Sequence, residues 1–199
     1  MNAPMHSTIL LHPRPVLDFW FSTRARPLWF EKDQGFDDEI RSRFGCAVGQ
    51  AQSGGFQDWR RNAEGSLGRL ILLDQMARNV HRGSPLAYAG DARALDVAQR
   101  AIEVGFDRGF NFDRRRFFYL PFEHSEDPAI QERSLALFGD LASTCEEHER
   151  RDAEEQLRYA RRHAEIIGRF GRYPHRNACL GRGCSPDELA CLTEPDSSF

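Results

Sequence analysis

The sequence predicts an all-α protein, and three observations lead to that fold class. Apolar residues recur three and four positions apart along most of the chain, which is the spacing of one helix face. Residues that start or stop helices flank these stretches, as at Asp127-Pro128 and Gly171. No stretch alternates apolar and polar residues long enough to predict a strand. We therefore expect about eight to ten helices, mostly short, joined by short loops and with no sheet.

The size and composition of the chain favour one helical domain. The chain has 199 residues, of which 40% are hydrophobic, and its mean hydropathy is -0.60. This length can bury one sizeable core. We predict a single domain over residues 14–192, with loose tails at residues 1–13 and 193–199.

Charge and cysteine content exclude several functional classes. The net charge of -3 gives no general attraction for nucleic acid. No apolar run approaches the roughly 18 residues of a membrane helix. The start of the sequence lacks the basic segment followed by an apolar one that would predict a secretory signal. The odd count of 5 cysteines favours reduced thiols over a disulfide framework. We expect a cytoplasmic protein without a nucleic-acid or membrane partner.

The first half of the chain predicts three helices before residue 81. Residues 16–21 place apolar pairs at i,i+4 spacing, and Phe36, Ile40 and Phe44 form a second apolar stripe. A third helix, residues 67–80 with Ser66 as its cap, is apolar around most of its circumference. Such a helix is expected to lie centrally, with neighbours on several sides.

The second half predicts five further helices, one of them kinked. Asp91 is expected to cap a helix that runs to Gly105, and residues from about Asp113 onward to form a helix kinked at Pro121. Asp127-Pro128 starts the next helix. The remaining signals are a charged helix over residues 152–170 that ends at Gly171, and a capping box at residues 185–188 that opens the last helix.

Polar side chains interrupt the central apolar helix. Asp74 and Arg78 continue its apolar stripe, and Gln75 and Asn79 form the adjacent i,i+4 pair. Buried ionic groups are costly and cluster at functional sites, so these four could line a ligand pocket. They could equally form a structural network in which Asp74 and Arg78 pair across one turn.

A dense ionisable segment follows the aromatic block at Pro121. Glu123, His124 and Glu126 emerge beside buried surface, where pKa values shift. They could supply a general acid and base, or two or three metal ligands, or only a helix cap and surface charge.

Basic residues later in the chain offer further candidates. His163 lies on an apolar stripe and is either a satisfied core histidine or a site residue. Arg172, His175 and Arg176 surround a helix start, where they could hold a carboxylate or phosphate or merely anchor a loop. Zinc binding by Cys179, Cys184 and Cys191 with His175 is a weak alternative, because the spacing matches no finger or ribbon. We predict no metal, and the sequence names no cofactor.

Five segments in register resemble one bacterial family. They are VLDFWF at 16–21, LLDQMARN at 72–79, FFYLPFEHSED at 117–127, QERS at 131–134 and FGRYPHRN at 170–177. Together they are similar to the bacterial domain-of-unknown-function family nine-two-four (DUF924). The resemblance implies a tetratricopeptide-like array of antiparallel helices and says little about activity. The family usually has phenylalanine-proline where this chain has Met76-Ala77, so the turn from Asp74 to Asn79 is expected to be more regular here.

The sequence thus predicts a central polar pocket that binds a small anionic molecule and could catalyse acid–base chemistry on it. Whether the protein is an enzyme stays open. The candidate catalytic residues are Asp74, Glu123 and His124. The candidate ligand-binding residues are Gln75, Arg78, Asn79, Tyr119, Glu126, Arg133, His163, Arg172, His175, Arg176 and Asn177. The alternative is a tetratricopeptide-like module that binds a partner peptide or protein without catalysis.

Overall fold

The computed structural model describes residues 12–194 and forms helices, with no strand among those residues. The all-α prediction is confirmed. Most of the two predicted tails lies outside the described residues. The α-helices are α1 Arg14–Trp20, α2 Gln34–Gln52, α3 Ala63–Leu70, α4 Ala77–Val80, α5 Asp91–Glu103, α6 Phe112–Arg115, α7 Leu120–Glu123, α8 Pro128–Thr144, α9 Arg150–Phe170 and α10 Pro186–Cys191. Short 3-10 turns connect several of them.

Contacts between Cα atoms group the described residues into two compact units. One unit comprises residues 12–82 with 86–118, and the other comprises residues 119–194 with 83–85. The prediction of one domain is not tested by this grouping and stays a prediction. Each unit is described by itself below.

The core of the first unit joins an aromatic cluster to the central helix. Trp20 and Phe117 are fully buried with ring centroids 5.9 Å apart, and Trp29 lies 4.9 Å from Phe117. α2 packs on α4, and α3 packs on α1 and α5. These three aromatic rings therefore form part of the core of this unit.

The central helix begins earlier than predicted. Its N-cap is Asn62, whose side chain accepts from the backbone N–H of Gly65 at 2.8 Å, whereas the predicted cap Ser66 lies inside α3. Gly65 is required here because a Cβ would lie 2.0 Å from the carbonyl oxygen of Trp59. The helix reaches Val80 as predicted, with its residues almost entirely buried.

The turn that carries Asp74 is irregular. Ile71–Met76 form a π-helical segment between α3 and α4, so the expectation of a regular turn is not met at Asp74. π-Segments inside helices are rare and frequently mark functional positions. Gly90 lies against this segment, and a Cβ there would lie 2.4 Å from the carbonyl oxygen of Leu73.

The predicted kinked helix is instead three short segments. α6 gives way to a 3-10 turn at Arg116–Phe118, and α7 starts afresh at Leu120. Pro121 lies in the first turn of α7, where the missing N–H needs no partner. A proline that reads as an interior kink therefore marks a new helix start.

The second unit is built mainly on the packing of α8 against α9, with α7 against both. Its caps are those predicted: Asp127 accepts from the Ala129 N–H, Gly171 ends α9 with a φ of +66°, and Ser185 and Glu188 form a capping box. The predicted N-cap of the helix at Asp91 was wrong, because Gly90 is the N-cap and Asp91 is the first residue of the helix.

Candidate functional site

The first group of candidate residues lies in the π-helical segment and α4 of the first unit. Asp74 is 1% exposed, and its carboxylate accepts from the Gln75 amide at 2.6 Å. Arg78 donates to both oxygens of Asp91 at 3.0 and 3.3 Å and to the Ala87 carbonyl, and one of its nitrogens lies 3.4 Å from Asp74. The charge of Arg78 is thus compensated twice within the protein.

A second ion pair adjoins this group. Asn79 donates to Asp37 at 2.8 Å, and Arg82 donates to both oxygens of the same carboxylate at 2.6 and 2.8 Å. Burial alone would raise the pKa of Asp37, but the bonds from Arg82 and Asn79 outweigh it and lower that pKa. The Asp74–Arg78 pair of the structural alternative is present, and that the four polar residues of this helix line a ligand pocket stays a prediction.

The second group lies in the second unit around a buried imidazole–carboxylate pair. α7 carries Glu123 and α9 carries His163, which are 4% and 3% exposed. The Nδ1 of His163 lies 3.5 Å from a carboxylate oxygen of Glu123 and 2.9 Å from the carbonyl oxygen of Tyr159. A carbonyl only accepts, so Nδ1 carries the proton and Nε2 is left as the accepting nitrogen.

Electrostatics keep His163 neutral. Burial lowers the pKa of His163 well below its ordinary value, and the nearby His124, His175 and Arg176 lower it further, against a smaller opposing effect of the Tyr159 carbonyl. The imidazole is therefore uncharged at neutral pH, although it lies beside a carboxylate.

Tyr173 holds the pair in place. Its fully buried hydroxyl donates to the backbone carbonyl of Glu123 and accepts from the Gln131 amide at 3.0 Å. Gln131 also donates to the carbonyls of Glu123 and Ser125 at 2.8 and 2.6 Å. Burial raises the pKa of Tyr173, so the phenol stays protonated.

Two half-buried histidines flank the buried pair. The ring centroids of His124 and His163 lie 6.3 Å apart, and those of Tyr173 and His175 lie 5.5 Å apart. The guanidinium of Arg176 lies 4.5 Å above the Tyr173 ring. We call His124, His163, His175 and Glu123 the histidine cluster; its two outer members are in contact with solvent.

Three other predicted residues are committed to internal bonds. Glu126 accepts from Arg182 at 2.8 and 2.9 Å and from the Tyr173 N–H. Arg172 donates to both oxygens of Glu188 at 2.6 and 2.8 Å, and Asn177 donates to the same carboxylate at 3.3 Å. The bond from Arg172 and that from the Ser185 N–H lower the pKa of Glu188 to about 2.

The remaining two predicted residues lie apart from these bonds. Arg133 is exposed on α8, whereas Tyr119 is buried with its ring 5.8 Å from that of Phe138. The Asp74 group belongs to the first unit and the histidine cluster to the second. That both groups line one pocket therefore stays a prediction.

The sequence alone does not predict the bonding partners that are distant along the chain. The sequence predicts Asp91 only as a helix cap and Glu188 only as part of a capping box, and it predicts no site role for Asp37, Gln131 or Arg182. Arg82 follows Arg78 by one helical turn, and that spacing was the single local signal for it.

No metal centre or membrane helix is found in the described part of the chain. All five cysteines are free, and residues 12–194 contain no group of three His, Cys, Asp or Glu side chains arranged to hold a metal ion. None of the described helices is both long and apolar enough to cross a bilayer.

Comparison with known proteins decides the family. The sequence profile of the family described as "Bacterial protein of unknown function (DUF924)" matches residues 16–196. The chain belongs to this family. A solved structure, that of the protein of unknown function ATU0120 from Agrobacterium tumefaciens, is similar to this chain: the two are 38% identical with a TM-score of 0.79, and the match covers 91% of this chain and 96% of that one. No curated protein matches the chain. The likeness to tetratricopeptide domains is tested by neither comparison and stays a prediction.

Proposed function

We propose that this DUF924 protein binds a small anionic molecule at the histidine cluster and moves a proton on it. The observation that carries the proposal is the buried pair of His163 and Glu123 with His124 and His175 beside it at the surface. A neutral imidazole next to a carboxylate in an apolar setting is an arrangement typical of acid–base sites.

His124 is the residue we assign to proton transfer. It follows α7 directly and is half-buried, so a ligand in solvent can reach its ring. His163 lies behind it and is held by Tyr159, so His163 and Glu123 act as positioning residues that fix the electrostatics of the cluster. Tyr173, which is bonded to Gln131, keeps the backbone of Glu123 from moving.

The charge of the cluster favours an anion. Arg176 places a guanidinium over Tyr173, and its charge acts on both His163 and Glu126. Arg182 already compensates Glu126. Protonation of either outer histidine would add further positive charge at the surface, where an incoming carboxylate or phosphate would meet it.

The first test follows the ring resonances of the histidines by NMR while inorganic phosphate, malonate or citrate is added. We expect the resonances of His124 and His175 to shift. His124→Ala should weaken the apparent Kd about tenfold, the size of one lost hydrogen bond between a charged pair. His148 is an exposed histidine of the same unit, so His148→Ala is the matched control and should change nothing.

Proton transfer is tested separately from binding. If a carboxylate binds, deuterium exchange at its carbon adjacent to the carboxyl group should be faster with the wild-type protein than with His124→Ala. Equal exchange would limit His124 to binding. If no anion shifts the His124 and His175 resonances, the site proposal fails and binding of a partner protein without catalysis becomes the better hypothesis.

A further inference from the structure

The first unit contains a buried arginine that no carboxylate pairs. Arg69 lies in α3 and is 2% exposed. Its Nη1 donates to the side-chain oxygen of Gln57 at 3.1 Å, and its buried Nε has no hydrogen-bond partner. Among residues 12–194, no carboxylate lies within ion-pair distance of Arg69. An arginine stays charged inside a protein, so this positive charge is hydrogen-bonded only to a neutral amide.

More positive charge surrounds it. Arg60 lies with its Nη1 3.5 Å from the same Gln57 oxygen, and Arg93 is anchored through its Nε to the Gln52 carbonyl at 3.0 Å. The carboxylate that acts on Arg69 is Asp96, which already bonds Arg60 at 2.7 Å and Arg100 at 3.0 Å. One half-exposed carboxylate thus faces several guanidinium groups.

The electrostatic effect on Arg69 follows from this surplus. Burial lowers the pKa of Arg69, Arg60 and Arg93 lower it further, and Asp96 opposes them. Protein interiors normally compensate a buried charge with an opposite one. The described residues supply no such partner for Arg69, which points to compensation from outside the chain.

Gln57 gives access to the buried guanidinium. Its side chain is exposed, although its amide oxygen is the acceptor for Arg69. Gln57 starts a 3-10 turn directly after Phe56, a bulky residue with a φ of +56°. Rotation of this one exposed side chain, which also breaks its bond to the Gly54 carbonyl, would free Nη1 of Arg69 for another acceptor.

We propose that Arg69, Arg60 and Arg93 form a binding site for a small oxyanion, a phosphate or carboxylate group that takes the place of the Gln57 amide. An oxyanion would accept the bond from Nη1 that Gln57 now accepts, and its second oxygen would face Nη2, the other half of the same donor fork. A guanidinium presents parallel donors that match carboxylate and phosphate oxygens. The site lies within the first unit and is separate from the histidine cluster.

Thermal unfolding in sodium phosphate, compared with sodium chloride at equal ionic strength, tests the site. At a phosphate concentration ten times Kd we expect the Tm of the wild-type protein to rise by about 3–6 °C. Arg69→Met should abolish the part of this rise that the Arg69 site contributes. Gln57→Glu should abolish it too, because a built-in carboxylate would occupy the donors. A parallel series in sodium malonate distinguishes a carboxylate from a phosphate ligand.

Two matched variants separate this site from other effects. Arg61 lies on the same 3-10 turn, is 81% exposed and pairs with Asp58, so Arg61→Met should keep the full rise. Phosphate or malonate bound at the histidine cluster would raise the Tm too, so the whole series is repeated in the His124→Ala protein, where the rise that depends on Arg69 should remain. An equal rise in Arg69→Met and Gln57→Glu would mean a general salt effect, and no rise with either anion in the wild type would also overturn the proposal. If Arg69→Met does not fold, Gln57→Glu alone decides.

Discussion

Arg69 and Arg78 lie on the same central helical stretch and have opposite surroundings. Arg78 contacts two carboxylates, Asp91 and Asp74, and a backbone carbonyl. Burial alone would lower the pKa of Arg78, but Asp91 and Asp74 raise it, whereas the pKa of Arg69 is lowered by burial and by neighbouring arginines. The difference shows that burial of a charge does not by itself mark a site. A charge that the fold leaves uncompensated is the better indication.

His163 adds a third solution to the same physical problem. It is as deeply buried as Arg69, yet it can lose its proton and become neutral, which an arginine cannot. Arg78 is therefore a paired charge, Arg69 is an unpaired charge, and His163 avoids a charge by losing its proton. Substitutions can convert one case into another.

The largest effect is expected when Arg78 loses its main partner. Asp91→Asn keeps the shape of the side chain but leaves the guanidinium with Asp74 alone at 3.4 Å. Breaking a buried ion pair costs 3–5 kcal/mol, and the pair is about one-fifth exposed, so we expect a loss of about 2–3 kcal/mol in the free energy of unfolding. Urea denaturation measures this loss.

Asp96→Asn is the matched control for that loss. Asp96 lies on the same helix, is half-exposed and pairs with Arg60 and Arg100. Surface pairs contribute little, so its substitution should cost less than about 1 kcal/mol. Equal losses for Asp91→Asn and Asp96→Asn would contradict the view that Arg78 is the structurally compensated arginine.

Local signals in the sequence predicted some helix ends correctly, whereas the predicted caps Ser66 and Asp91 were wrong. Asp127-Pro128, Gly171 and the capping box at Ser185 act within one turn of themselves, so their outcome can be derived without tertiary structure. The new start at Pro121 and the π-helical segment at Asp74 could not be derived. Both depend on which residues pack against the backbone, as the close approach of Gly90 to Leu73 illustrates.

The candidate sites were predicted less completely for a related reason. Asp74 and Arg78 could be predicted as neighbours because they share a helix. The bond from Arg78 to Asp91 could not, because Asp91 lies on the next helix. Nothing in the local sequence distinguishes Arg69 as a site residue, since an arginine among apolar residues usually extends to solvent. Only the structure places it under Gln57 with no carboxylate, because that fact depends on contacts across the fold.

A smaller effect is expected from the titration of His163. Its pKa is lowered in the folded protein, while the unfolded chain takes up a proton near the ordinary value of 6.5. The unfolded state thus binds more protons below that pH, and stability falls as the pH falls. One pKa unit corresponds to 1.36 kcal/mol, so each pH unit below 6.5 at which the folded protein keeps His163 neutral lowers the free energy of unfolding by up to about 1.4 kcal/mol, a loss that His163→Phe does not show.

The groups that face His163 define the control for that titration. They are Glu123, His124, His175 and Arg176. The other facing groups are present in both proteins, so the difference between the wild type and His163→Phe isolates the buried ring. An unchanged pH dependence in His163→Phe would mean that the folded protein accepts a proton on His163, paired with Glu123.

The smallest effect is expected when Arg69 is given the partner that Arg78 already has. Gln57→Glu places a carboxylate where the amide oxygen lies 3.1 Å from Nη1 of Arg69. Because Gln57 is largely exposed, the new ion pair should raise the free energy of unfolding by only about 1 kcal/mol in the absence of added anions. Gln57→Met has a similar length without the charge or the acceptor, so it should be no more stable than the wild type. A Gln57→Glu protein less stable than the wild type at low salt would show that the positive charge of Arg69 is already compensated, and the contrast between the two arginines would then disappear.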